Sequence, residues 1–327
     1  MALKKDKLLN VGLGAGLVGG LILALKFAVR RPTKLPVPDT ISPAIFATRV
    51  LQTSYGPVVY HESGGGQPVI FVHNILPGAS SYEWSKVYPD FAGRFRVLAL
   101  DMLGFGESAR PDARLNAQDC VRILAEFIRT TCWEQKPVLI GSGLGAGFCA
   151  YLASQHPELV SRLVLFMPTG RNDSGRSKLP LRTKLLSRTP LLNRFVYRNY
   201  LSTKAAVRSW LAEHAFSDPA RLTDETVDVF ATCAQQYGAE YAVFNYFSGQ
   251  LNFDLDARMK TVLQPVAILW SDHPALPPVE SAERLKKMTG NCTLGTLKNT
   301  GLLASVEDPE QMIAAIEQQL GEELRVL

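Results

Sequence analysis

Four short runs, residues 69–73, 97–101, 138–140 and 163–166, are apolar at nearly every position, with His73 and Asp101 standing only at run ends. A strand that alternates apolar and polar residues keeps one wet face, whereas a continuously apolar strand is buried on both. Between these runs the spacing predicts helices: residues 84–91, residues 117–131 with Val121, Leu124 and Ile128 on one face, and a helix from a Gly-rich turn through His156. Strands and helices in this alternation specify the α/β class, a mostly parallel central sheet covered by helices. A hairpin, 49–54 and 57–63 around Tyr55-Gly56, precedes them. From about 170 to 262 the pattern turns wholly helical, then resumes with a strand at 266–270, a helix at 279–288, a strand near 292–297 and a helix at 309–320. A sheet that is interrupted and then completed predicts a core with a helical cap.

The N-terminus has a different character. Residues 8–29 are apolar except for Asn10 and Lys26, a run close to the roughly 20 residues that cross a hydrocarbon core. Lys4, Lys5 and Lys7 precede it, Arg30, Arg31 and Lys34 follow, and no small-residue cleavage site is present. The reading is a single-pass transmembrane anchor. Gly12, Gly16 and Gly20 lie on one face, a spacing that lets helices pack closely; it predicts other membrane-protein subunits as partners, beside membrane lipids. Pro32, Pro36, Pro38 and Pro43 stiffen the segment that follows. The expected organisation is therefore an anchor over 1–31, a Pro-rich linker over 32–44, a core over 45–169 and 263–327, and a cap over 170–262.

Five cysteines, an odd number with no CxxC or Cys/His cluster, indicate neither a disulfide framework nor a metal site, and place the globular part in the cytoplasm. A net charge of +5 is too small to imply nucleic acid. The basic residues are uneven, however. Arg182, Lys184, Arg188, Arg194 and Arg198 are interleaved with leucines at the start of the cap. Such a streak suits an anionic membrane surface; an ordinary solvated cap face is the competing reading.

Three segments together resemble the α/β-hydrolase superfamily, over roughly residues 45–325. Val69-Ile-Phe-Val-His73-Asn74 with the following 78–84 is similar to the family's strand and oxyanion loop, where His-Gly is usual. Asp101-Met-Leu-Gly104-Phe-Gly106-Glu-Ser108 resembles its Asp-x-x-Gly-x-Gly-x-Ser turn, and Gly141-Ser142-Gly143-Leu144-Gly145 its nucleophile elbow. The cap segment 247–252 resembles capped members related to epoxide hydrolases and haloperoxidases.

The resemblance implies a catalytic triad whose members are missing here. Gly143 stands at the nucleophile position and has no side chain. Leu302 stands at the base position, in the matched stretch from Thr300 to Pro309. Asp272 is a displaced candidate for the acid. Without an imidazole nothing takes a hydroxyl proton. The backbone N–H groups of Ile75 and Leu144, beside His73, Asn74 and Ser142, are expected to form a vestigial oxyanion hole that binds a carbonyl or carboxylate, and His273 to line the pocket mouth. No cofactor is implied. The expected function is a membrane-anchored, non-catalytic homologue serving a membrane complex or binding a lipophilic small molecule. The alternative is an esterase or lyase with a rearranged site using Ser142, His73 or Asp272. A second alternative is a dinucleotide-binding protein, since Gly141-x-Gly143-x-x-Ala146 follows a strand and opens a helix.

Overall fold

The β-branched and leucine-rich runs do form strands, and the computed structural model, which describes residues 42–320 apart from 44, 171–189 and 274, joins them in one sheet. Its strands are β1 (Ala47–Thr53), β2 (Gly56–Ser63), β3 (Pro68–Val72), β4 (Arg96–Leu100), β5 (Val138–Ser142), β6 (Arg162–Phe166), β7 (Val266–Ser271) and β8 (Cys292–Leu297). Their order across the sheet is β1-β2-β4-β3-β5-β6-β7-β8. The β1–β2 hairpin and the β2–β4 pair are antiparallel; every other pair is parallel. β3 and β5 lie at the centre and are buried at every residue, which is why their sequences show no alternation.

Helix α1 (Ala117–Thr131) begins at a reciprocal cap: Asn116 accepts from Asp119 N–H and Asp119 accepts from Asn116 N–H. Helix α2 (Gly143–Gln155) follows β5 without a linking residue. The described part of the cap leaves after β6 and returns at β7, two neighbouring strands, through α3 (Pro190–Val196), α4 (Lys204–Trp210), α5 (Asp224–Ala234), α6 (Ala239–Phe247) and α7 (Leu255–Met259). Wide π-turns extend α3 over Tyr197–Leu201 and α4 over Leu211–Ala215. The core closes with α8 (Glu280–Lys286), α9 (Ala304–Glu307) and α10 (Pro309–Leu320).

Two expectations change. The helix expected at 84–91 is two separate 3-10 turns, Ser81–Trp84 and Tyr88–Phe91. Pro89 lacks the N–H a continuous helix would need there, and Trp84 is instead turned onto β3, its indole N–H donating to Val72 O at 3.2 Å. Arg194 and Arg198 also leave the membrane-facing set. Arg198 lies 2.7 Å and Arg194 3.5 Å from the same oxygen of Glu240, which is only 1% exposed. A guanidinium held by a buried carboxylate is not offered to lipid headgroups. The anchor with Gly12, Gly16 and Gly20, most of the linker, and Arg182, Lys184 and Arg188 lie outside the described residues; among the described residues no helix is long and apolar enough to cross a membrane.

Candidate functional site

In open α/β sheets ligands gather beyond the carboxyl ends of the strands. Here β3 leads out into His73-Asn74, β5 ends at Ser142 and β7 at Ser271, and above them a cavity of about 460 Å³ lies between core and cap. Asn74, Gly143, Leu144 and Leu302 line it from the core, and Trp210, His214, Phe216, Tyr246 and Phe247 from the cap.

Gly143 keeps the sharp bend of a nucleophile elbow, with φ +52°, a left-handed conformation that costs a residue with a Cβ about 1 kcal/mol or more. The space above it is taken. A Cβ on Gly143 would overlap the side-chain amide of Asn74. That amide sits where it does because Asn74 Oδ1 accepts two backbone donors, Ile75 N–H at 2.8 Å and Leu144 N–H at 3.0 Å. The two N–H groups expected to form an open oxyanion hole are therefore satisfied from within. This corrects the expectation of a vestigial hole free to bind a carbonyl or carboxylate. The same contact occupies one of the N-terminal donors of α2 that a dinucleotide's phosphates would use.

Behind Asn74 lies a buried carboxyl. Glu83 accepts Asn74 N–H at 2.7 Å and the Ser142 hydroxyl in a short hydrogen bond. Burial pushes its pKa up to about 7, against the downward pull of the Ser142 and Asn74 donors. Ser142 is 1% exposed and does not line the cavity, so it is not placed to meet a ligand there. His73 is equally committed: Nδ1–H donates to Asn74 O at 2.6 Å and Nε2 accepts Met102 N–H at 3.0 Å. With both nitrogens used and burial lowering its pKa, this neutral imidazole holds the loop and has no lone pair left for a base. Asp272 also turns away, accepting Asn299 N–H at 2.9 Å at the surface.

His273 does line the cavity, joined there by Glu213 and His214 of the cap, which sequence reading had left without a role. His61, Asp101 and Glu107 form a group close enough to share a cation, but both Asp101 oxygens already accept N–H groups, from Ser81 and Glu107. Asp101 thus anchors its own turn.

Sequence reasoning missed Glu83 and Glu307, and named Asn74 at the site without its side-chain direction. Glu83 lay in the 78–84 segment, one residue before the expected helix, with no role of its own. Asn74 was visible as a departure from His-Gly, but its side-chain direction was not. Glu307 matched the resemblance as a flank only; in the structure its carboxylate accepts Ser217 N–H, the Ser217 hydroxyl, Asp218 N–H and Gly301 N–H, tying the cap to the Leu302 loop.

A family model described as alpha/beta hydrolase fold matches residues 67–301. The chain is 38% identical over 112 residues to the 2-hydroxy-6-oxo-6-(2'-aminophenyl)hexa-2,4-dienoic acid hydrolase of Metapseudomonas resinovorans, covering 34% of this chain and 39% of that protein. It is 25% identical over 262 residues to an uncharacterised protein of Mycobacterium tuberculosis, covering 78% of this chain and 75% of that one. Among solved structures, a serine hydrolase involved in carbazole degradation superposes with a TM-score of 0.70 at 24% identity, over 84% of this chain and 98% of the other.

Proposed function

The chain belongs to the α/β-hydrolase fold family, and from that premise we propose that this member holds a small apolar carbonyl compound intact in the chamber between core and cap. One observation carries the reading: the Asn74 amide fills the space in which a nucleophile's side chain would stand on Gly143. Leu302 adds an aliphatic chain where a base would be needed, and the cavity walls are largely aromatic and aliphatic, which favours a ligand of low polarity.

A second reading, hydrolysis through a rearranged site, has its own support. Some of the relatives are named as hydrolases, and Glu213, His214 and His273 bring ionisable groups to the same cavity. Those names speak for this alternative more than for a membrane-complex subunit, to which the described residues add nothing.

One experiment separates the two. The purified protein is incubated with p-nitrophenyl esters and with a fluorophosphonate probe, while unfolding temperature is followed with added methyl ketones. The binding reading expects no ester turnover above the buffer rate, no covalent labelling and a ketone-dependent rise in Tm. Ester turnover abolished by His214→Ala, or stoichiometric labelling of Ser142, would establish the hydrolase reading instead.

A further inference from the structure

Asn74 has two polar ends, and the structure accounts for only one. Oδ1 is fixed by Ile75 N–H and Leu144 N–H, which also settles the amide's orientation: the nitrogen cannot face two donors. Asn74 lines the cavity, and its hydrogen bonds among the described residues run through its backbone N–H and O and through Oδ1, none through Nδ2. We infer that Asn74 both closes the oxyanion hole and serves as the chamber's polar anchor, its Nδ2 donating to the oxygen of a neutral ketone or ester.

The physical case has two parts. Two donors on Oδ1 polarise the amide and strengthen its N–H groups as donors, so the donor character of the hole is passed one group outward into the chamber. The charge preference, however, is changed. An open pair of backbone N–H groups favours a negative oxygen. With the Asn74 carbonyl in that place, a carboxylate seated at Asn74 gains one neutral donor there, faces a carbonyl dipole of the wrong sign beside it, and gives up hydration against Phe166, Met167, Phe216 and Leu302, away from His214 and His273 only by its position at Asn74. A neutral carbonyl needs only the one donor. The chamber should therefore select ketones and esters over the acids of the same length.

This inference rests on the intact-ligand reading above, and the test keeps the two apart. Straight-chain methyl ketones of six to twelve carbons and the carboxylates of matching length are titrated calorimetrically into wild type, Asn74→Asp and Asn74→Ala. Asn74→Asp keeps an oxygen for Ile75 and Leu144 but has no N–H to offer, so ketone affinity should fall at least tenfold while Tm is held. Asn74→Ala opens the hole, and the wild-type preference of ketone over carboxylate, expected to be tenfold or more, should vanish or invert. Equal wild-type affinity for both series, or a ketone preference that survives in both variants, overturns the role of Asn74 while leaving the chamber reading intact. No binding of any probe by any of the proteins overturns both.

Discussion

Glu83 shows how a single residue behind the site sets a solution property of the whole protein. Its pKa is pushed up to about 7 in the fold from an ordinary 4.5, first by burial. Between those pH values the folded protein holds a proton that the unfolded chain has released. The folded state is therefore favoured most below pH 4.5, and the stability linked to this group falls as pH rises toward 7, by about 3 kcal/mol in all. Glu83→Gln is uncharged at every pH and still presents an acceptor to Asn74 N–H. In urea titrations between pH 5 and 7.5 the variant should gain on wild type as pH rises. Parallel curves would mean that Glu83 titrates normally. The carboxyl was legible in the sequence, but its burial was not, because nothing local announces that the 81–84 turn packs against β3.

At the scale of the element, the elbow between β5 and α2 keeps its bend without a reactive side chain. Gly143→Ser should be destabilised by about 1–2 kcal/mol, from the left-handed backbone at φ +52° and from overlap with Asn74. Adding Asn74→Gly removes the overlap but not the backbone strain. A double-mutant cycle by thermal unfolding should therefore give a coupling of about 1 kcal/mol, as for residues in direct contact; additive effects would place the Asn74 amide elsewhere. Neither variant should gain esterase activity, since Leu302 supplies no base. Elements whose periodicity and caps agreed, such as the 117–131 helix with its Asn116–Asp119 pair, were readable to their ends. The 84–91 segment was not, because its spacing suited a helix while Pro89 and the indole contact of Trp84 split it.

Over the whole molecule, one joint between cap and core runs through Glu307. It follows the Leu302 loop yet accepts its hydrogen bonds largely from Ser217 and Asp218, at the far end of the cap's π-turn. Glu307→Ala removes a charged acceptor from those part-buried donors and should cost about 2 kcal/mol. Amide hydrogen exchange should then speed up at 215–218 and 301–303 before it does in β3 or β5. Uniform loss of protection across the sheet would show that the joint has no separate stability. Because this joint closes one side of the chamber, its loosening should also raise the rate at which a bound ketone escapes.

The sequence by itself determined the class of fold, the order of strands and helices, the interruption by a helical insertion and the absence of a hydroxyl and an imidazole at two matched positions. The class, the order and the interruption follow from spacing along the chain, apolar runs buried on both faces and helical periods; the two absences follow from the resemblance of the flanking residues to the family's motifs. What only the tertiary structure decided is where unmatched side chains point. Asn74 turns into the hole, Glu83 and Ser142 meet beneath it, His73 spends both nitrogens on its neighbours, and Arg194 and Arg198 turn toward Glu240. Those directions are set by hydrogen-bonding partners distant in sequence, and a buried donor or acceptor takes whichever partner the packed fold brings within about 3 Å.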